Sequence, residues 1–201
     1  MLVEAELKAV VRDLDAVRAA LNRRGPAQGC TYADRYFDYP DRRLTEQGRE
    51  LRVRTITDDT GQNRVLLTYK EAPVDAASGA KPEHETTAKD ADVLATVLTA
   101  LGVEEFIVFH KHCVNYRFTA LGHELLASLV TVPELEGQIF IELETMTEAG
   151  DLDAAMDIVR SVLRDLGVSD HDLTAETYTD AVSAQRKTHG SSGVSMDGRW
   201  D

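Results

Sequence analysis

The chain has 201 residues, of which 43% are hydrophobic and 28% are charged, and this composition excludes a protein that is disordered throughout. Asp and Glu outnumber Lys and Arg by 35 to 22, which gives a formal net charge of −13 at pH 7. A molecule this acidic repels nucleic acid and anionic membrane surfaces, so a local cluster of cations must capture any anionic ligand.

Neither a leader nor a membrane segment is predicted. Two glutamates interrupt residues 1–8 before any apolar run, and no stretch approaches the ~18 consecutive apolar residues of a membrane span. The two cysteines, Cys30 and Cys113, lie far apart, and neither belongs to a C-x-x-C pair or has a histidine at metal-ligand spacing. We therefore predict a cytoplasmic protein without a disulfide framework or a zinc site.

Apolar residues at 3.6-residue spacing, together with stop signals, predict four helices. They span about residues 14–24, 91–102 and 152–167, with a shorter one from about residue 172. Residues 184–201 are rich in Gly, Ser and charge and lack apolar periodicity, so we predict a disordered tail there. The folded domain is then expected to cover residues 1–183, with residues 72–80 as a mobile hairpin connection.

Most of the remaining sequence alternates apolar and polar residues, as strands with one buried face do. In residues 3–11 every odd position is apolar, while the even positions carry Glu4, Glu6 and Lys8. Similar alternation recurs at residues 50–55, 64–70, 81–85, 106–118 and 139–144. Several connections are too short for parallel crossovers, so the sequence predicts an α+β fold with about eight mostly antiparallel strands.

The polar strand faces carry like-charged pairs, which point to a lumen. A single charged face is usually solvated, but successive same-face residues lie only about 6.6–6.8 Å apart. The pairs Glu4/Glu6 and Glu142/Glu144 repel each other unless a cation lies between them, which predicts a hard divalent metal. The cations at Lys8, Arg52, Arg54, Lys70 and Lys111 predict a bound polyanion. The alternative is an open charged surface used for protein contacts.

Six motifs occur in a fixed order along the chain. They are E-A-E-L-K at residues 4–8, Y-F-D-Y-P-D at 36–41, L-R-V-R at 51–54, L-T-Y-K at 67–70, K-P-E-H-E at 81–85 and F-I-E-L-E at 140–144. Together they resemble the CYTH superfamily, the triphosphate tunnel proteins that include class IV adenylyl cyclases and thiamine triphosphatases. One such motif is weak evidence, but six in order are strong evidence.

The resemblance implies an eight-stranded antiparallel β-barrel or tunnel with helices packed outside, and a possible pairing of two copies as a homodimer. It implies Mg²⁺ or Mn²⁺ as the cofactor, held by Glu4, Glu6, Glu142 and Glu144. Catalytic roles fall to Lys8, Glu4 and Glu6. The implied substrate-binding residues are Arg52, Arg54, Lys70, Lys81, Lys111 and Arg117.

Two positions depart from the pattern of the family. An arginine expected two residues after Lys111 is replaced by Cys113, and Arg117 has the same strand parity but lies farther along. An aspartate expected upstream of the last E-x-E motif is missing, with Glu134 or Glu124 as its candidate replacement. These departures bear on a second metal position and on the completeness of triphosphate binding.

The resemblance favours a class IV adenylyl cyclase, which converts ATP to cyclic AMP and pyrophosphate. A second candidate is a hydrolase of tripolyphosphate or thiamine triphosphate, because both reactions need the same charged lumen. A third is a non-catalytic polyphosphate or nucleotide-binding module. In each case the partner is a small-molecule triphosphate, and neither nucleic acid nor a membrane is expected.

Overall fold

The computed structural model describes residues 2–74 and 80–191, and its centre is one antiparallel sheet of eight strands. The strands are β1 Leu2–Val10, β2 Ala27–Asp38, β3 Glu50–Asp58, β4 Asn63–Lys70, β5 Glu83–Ala88, β6 Glu104–Ala120, β7 His123–Thr131 and β8 Ile139–Glu148. Their order across the sheet is β1-β8-β7-β6-β2-β3-β4-β5. The predicted α+β class and the eight antiparallel strands are confirmed.

The sheet curls into a half-barrel, so that its two edge strands approach each other. No hydrogen-bonded ladder joins β1 to β5 within residues 2–74 and 80–191. Side chains bridge the gap instead: the Nζ atom of Lys70 on β4 lies 2.7 Å from Oε2 of Glu4 on β1. The concave face therefore encloses a lumen, which is consistent with the predicted tunnel.

In the part of the chain that the structure describes, five α-helices accompany the sheet. They are α1 Leu14–Asn22, α2 Arg43–Glu46, α3 Ala91–Ala100, α4 Leu152–Asp165 and α5 Tyr178–Ser191. The predictions for α1, α3 and α4 are confirmed. Asp13 caps α1, because its carboxylate accepts a hydrogen bond from the backbone N–H of Ala16. The short α2 has no counterpart in the prediction, because one helical turn is too short to show a 3.6-residue pattern.

Three helices cover the convex face of the sheet. Helices α1 and α4 bury Leu21 and Val159 against the odd-numbered apolar side chains of β1 and β8. Helix α3 packs Ala95 over Phe37 of β2 and Val53 of β3. Because the apolar residues of each strand point outward to these helices, the charged residues of the opposite parity point into the lumen.

Helix α5 differs, because it packs against the concave face. Its residues Tyr178 and Val182 are buried among Tyr36, Phe109 and Phe140, which line one end of the lumen. A helix was predicted in this region, but it begins at Tyr178 and not near residue 172, it is not shorter than α4, and its packing inside was not expected. Residues 184–191 form its last turns, whereas residues 192–201 of the predicted tail and residues 75–79 of the predicted hairpin connection lie outside the described residues.

A two-residue turn fixes the register of β6 against β7. Ala120 stands opposite His123, and the intervening Leu121 and Gly122 have φ values of 50° and 82°. Two left-handed residues in succession match the twist of a tight hairpin, and the second is glycine, which adopts positive φ without steric cost. Within the described part of the chain, no helix is long and apolar enough to cross a bilayer.

Candidate functional site

Three of the four predicted metal ligands meet at one place in the lumen. The antiparallel register sets Glu6 of β1 opposite Glu144 of β8, and Glu4 lies next to them on the same face of β1. One carboxylate oxygen from each of these glutamates lies within 4.8 Å of the other two. Oxygen ligands from several carboxylates are what Mg²⁺, Mn²⁺ and Ca²⁺ prefer, so the set fits a hard divalent cation.

The electrostatics of this cluster also fit a cation. Burial, together with the charges of Glu142 and Glu4, raises the pKa of Glu6 to about 7. Burial and the neighbouring glutamates also raise the pKa of Glu144 well above its usual value. Burial acts the same way on Glu4, but the ammonium group of Lys70 outweighs it and lowers its pKa. A bound divalent cation would remove this repulsion.

Glu142, the fourth predicted ligand, has different surroundings. It stands opposite Lys8 in the ladder, and its Oε1 atom lies 3.6 Å from Nζ of Lys111. Burial opposes its ionisation, but the charges of Lys111 and Arg54 outweigh burial and lower its pKa. Within the described residues it lies outside the three-carboxylate cluster and is balanced by protein cations.

On β2 and β3 the structure adds a residue that the sequence analysis missed. Asp34, whose exposed fraction is 0%, accepts two hydrogen bonds from Arg54, with Nε–Oδ1 and Nη2–Oδ2 distances of 2.6 and 2.7 Å. Burial raises the pKa of Asp34, but Arg54 outweighs it and brings the value to about 2. The pairing depends on the β2–β3 register, which sets Asp34 opposite Arg54 and cannot be read from either strand alone.

Arg52 and Lys70 extend the cationic surface along β3 and β4. The Nη2 atom of Arg52 lies 3.5 Å from Oγ1 of Thr68, whereas its buried Nε has no hydrogen-bond acceptor among the described residues. Lys70 lies between two carboxylates, 2.7 Å from Glu4 and 2.9 Å from Glu83. A buried guanidinium N–H without an acceptor destabilises the protein, and a bound anion would supply that acceptor. Arg52 is therefore placed to bind an anion.

Lys8 and Lys111 converge on one aromatic ring of α5. Their Nζ atoms lie 4.3 and 4.5 Å from the ring centroid of Tyr178, within the range of cation–π contacts. Lys8 also donates a hydrogen bond to the backbone carbonyl of Glu176. Burial lowers the pKa of Lys8, although Glu142 acts in the opposite direction. Helix α5 therefore closes this end of the lumen and positions two of the predicted cations.

The remaining predicted residues lie toward the margins of the site. Lys81 precedes β5 and is partly exposed, with the strand parity of Glu83. Arg117 is exposed and lines a cavity of about 620 Å³ together with Glu124, Glu144 and Met146. The structure thus brings Arg117 close to the carboxylate cluster rather than to the arginines of β3.

The two acids considered as replacements for the missing aspartate lie in different parts of the structure. Glu134 forms an ion pair of 2.9 Å with Arg186 of α5, whose guanidinium also donates a hydrogen bond to the carbonyl of Val108. Glu124 instead lines the same cavity as Glu144. Of the two, only Glu124 is placed to act near the carboxylate cluster.

Comparison with known proteins supports the resemblance found in the motifs. A family model described as the CYTH domain matches residues 2–178. The comparison with curated proteins found no match.

Solved structures share the fold. A protein of Pyrococcus horikoshii is 24% identical and superimposes with a TM-score of 0.74, covering 91% of this chain and 99% of its own. A putative adenylate cyclase of Vibrio parahaemolyticus is 21% identical, with a TM-score of 0.72 and coverages of 90% and 98%. A putative adenylyl cyclase of Hippeastrum, described as having a dominant triphosphatase activity, is 16% identical, with a TM-score of 0.60 and coverages of 92% and 96%.

Proposed function

We propose that this chain, which belongs to the CYTH family of triphosphate-acting enzymes, is a divalent-metal-dependent enzyme. It would bind a small-molecule triphosphate in its lumen. One observation carries the proposal: the three clustered carboxylates of Glu4, Glu6 and Glu144 share a lumen with the cations of β3, β4 and β6. A metal–triphosphate complex has the matching pattern of charge, because the metal needs carboxylates and the phosphates need cations.

The division of roles follows from the positions of the side chains. Glu4, Glu6 and Glu144 would hold Mg²⁺ or Mn²⁺, which supplies charge neutralisation for the phosphates. Arg52 provides a buried donor, its Nε, that has no acceptor among the described residues, and Lys111 provides a nearly fully buried ammonium. Phosphoryl and nucleotidyl transfer depend mainly on positioning and charge stabilisation, which a fixed array of cations performs.

The first candidate reaction is cyclisation of ATP. The 3′-hydroxyl oxygen would form a bond to the α-phosphorus, and the bond from that phosphorus to the oxygen bridging the β-phosphate would break, releasing pyrophosphate. The cations of the lumen would stabilise the charge that develops on this leaving group. The cavity of about 620 Å³ beside Glu144 favours a substrate with an organic part, because its volume is that of a typical small-molecule pocket.

The second candidate is hydrolysis of the terminal phosphate. Lys8 favours it, because its partly buried ammonium is fixed by the Glu176 carbonyl and the Tyr178 ring next to the carboxylate of Glu142. A cation held in this way could orient an attacking water at a phosphate bound in the lumen. The triphosphatase activity described for the Hippeastrum protein makes this reaction the necessary comparison.

The deciding experiment is a product analysis. Purified protein is incubated with ATP, tripolyphosphate or thiamine triphosphate in the presence of Mg²⁺ or Mn²⁺, and cyclic AMP, pyrophosphate and orthophosphate are resolved. Cyclic AMP with pyrophosphate supports the cyclase, and orthophosphate supports the hydrolase. Metal-dependent thermal stabilisation by tripolyphosphate without any product would instead identify a non-catalytic binding module, and no binding at all would refute the proposal.

A further inference from the structure

The two cysteines of the chain, distant in sequence, face each other in the wall of the lumen. Cys30 of β2 stands directly opposite Cys113 of β6 in the antiparallel ladder. Residues paired in this way have Cα atoms about 4.5–5.5 Å apart, which lies within the span of about 4.4–6.8 Å of a disulfide. The pair can therefore be cross-linked without moving the strands.

The two thiols differ in their exposure to solvent. Cys113 is 2% exposed and packs with Val130 and Tyr32, whereas Cys30 is only partly buried. The hydrogen bond from Cys113 lowers the pKa of Cys30 to about 7, although burial opposes the shift, and the pKa of Cys113 is raised. Since the thiolate is the nucleophile, Cys30 is the thiol that reacts first with an external reagent.

A short chain of contacts connects Cys30 to the cations of the proposed site. The Nδ2 atom of Asn115 donates to Sγ of Cys30 at 3.3 Å and to Oη of Tyr32 at 2.7 Å. The ring of Tyr32 in turn lies 4.3 Å from Cζ of Arg54 and 5.9 Å from Nζ of Lys111. The amide of Asn115 and the ring of Tyr32 therefore connect the Cys30 sulfur to two predicted phosphate-binding residues, Arg54 and Lys111.

We propose that Cys30 and Cys113 form a reversible disulfide in the lumen wall, and that its formation weakens triphosphate binding through Asn115 and Tyr32. The second half rests on the proposed function. Oxidation draws the Cys30 sulfur toward Cys113, so Asn115 loses an acceptor in a place where its own buried Oδ1 already has no hydrogen-bond partner among the described residues. The side chain must then reorient and release Tyr32 from its position under Arg54.

The chemistry is a thiol–disulfide exchange with a low-molecular-weight disulfide as the oxidant. The Cys30 thiolate attacks one sulfur of this reagent and releases one thiol, which leaves a mixed disulfide on Cys30. The Cys113 thiol then loses its proton, attacks the Cys30 sulfur and releases the second thiol. The protein loses two protons and two electrons, and the reagent gains them, so two thiols are formed for each disulfide consumed.

The first experiment tests the cross-link itself. The reduced full-length protein is treated with oxidised glutathione and examined by intact-mass and peptide mass spectrometry. We expect the loss of two hydrogens, no retained glutathione and a peptide cross-link between Cys30 and Cys113, all reversed by dithiothreitol. The matched variant Cys113→Ser should retain one glutathione on Cys30. Wild-type protein that stays reduced, or that retains glutathione, overturns the proposal.

The second experiment tests the connection to the site. Tripolyphosphate affinity is measured by calorimetry with Mg²⁺ for the reduced, oxidised and re-reduced protein. We expect oxidation to weaken binding by at least about fivefold, the lower end of typical coupling between linked events, and reduction to restore it. Cys30→Ser, treated identically, should show no change. Equal affinity in both redox states overturns the connection.

A ligand-free measurement separates this proposal from the proposed function. The side-chain amide signal of Asn115 in nuclear magnetic resonance spectra should shift on oxidation of the wild type and stay fixed in Cys30→Ser. If reduced protein binds no tripolyphosphate, the proposed function fails, while this signal still decides the inference about the cysteines. An unchanged Asn115 signal on complete oxidation refutes the coupling.

Discussion

The two sides of the lumen handle charge in opposite ways. On β1 and β8, which we call the carboxylate side, Glu4, Glu6 and Glu144 crowd together, and the pKa values of two of them are raised. On β2 to β4, which we call the cation side, Arg54 is already neutralised by a bidentate bond to Asp34. Among the described residues, Glu4 is the one member of the carboxylate cluster that forms an ion pair, with Lys70, so this side has less counter-charge than the Asp34–Arg54 pair of the cation side.

The comparison separates a binding role from a supporting role for buried charge. The carboxylate side is electrostatically unfavourable alone, so it gains most from an added divalent cation. The cation side holds its guanidinium groups in fixed positions before any ligand arrives, which lowers the cost of binding an anion. Removing a charge should therefore affect mainly function on the carboxylate side and mainly stability at Asp34.

The largest effect is expected from Asp34→Asn. This change leaves Arg54 buried without its charge partner, which should reduce the free energy of unfolding by about 3–5 kcal/mol in urea denaturation. The exposed Asp157→Asn on α4 is the matched control and should change stability by less than about 0.5 kcal/mol. A loss below about 1 kcal/mol for Asp34→Asn would show that the pair is not a structural requirement.

Glu144→Gln should act on turnover instead. It removes one of the three clustered oxygen ligands, and turnover of the accepted triphosphate should fall at least about 100-fold, because even outer partners of metal ligands are worth 10–100-fold. The melting temperature without metal should stay equal or rise, since one repulsive charge is lost. The exposed Glu136→Gln serves as control; a collapse of the melting temperature for Glu144→Gln would indicate a structural role.

Lys111→Met tests a cation on β6, a strand that lies between the two sides. The change removes a buried ammonium near Glu142, and tripolyphosphate affinity should fall about tenfold, the value of one charge-assisted hydrogen bond. Calorimetric titration measures the change, with the exposed Lys89→Met as the matched control. Unaltered affinity would place the phosphates elsewhere in the molecule.

The last prediction concerns the pH dependence of metal-free stability, which changes by the smallest amount per measured step. Because the pKa of Glu6 is about 7 in the folded protein against an ordinary 4.5, the folded state holds a proton that the unfolded state releases between these values. The contribution of Glu6 to the free energy of unfolding is therefore fully present below about pH 4.5. It declines as pH rises to 7, by about 1 kcal/mol per pH unit. Urea denaturation at pH 5, 6 and 7 measures this slope, which Glu6→Gln should flatten.

Saturating Mn²⁺ should counter this decline, because the metal binds the deprotonated carboxylates and its affinity rises with pH. A metal-free slope of the opposite sign would contradict the assigned pKa of Glu6.

The sequence predicted those parts of the site that repeat along single strands. Glu4, Glu6 and Lys8 were recognised by period-2 spacing, and three helices were recognised from their apolar spacing and stop signals, since local geometry dictates these patterns. It did not predict the partner of Arg54, because Asp34 is an isolated acid whose role arises only from the β2–β3 register. Nor did it predict that α5 enters the lumen, since an amphipathic helix does not encode which surface it will cover.

The two cysteines also show that the sequence does not reveal which strands pair. Their separation in sequence gave no reason to connect them, and only the pairing of β2 with β6 sets Cys30 against Cys113. By itself, then, the chain determined which side chains face inward, because backbone geometry fixes the alternation of each strand. Only the curled sheet decided which of those side chains meet, because register, curvature and helix docking depend on contacts between residues far apart in sequence.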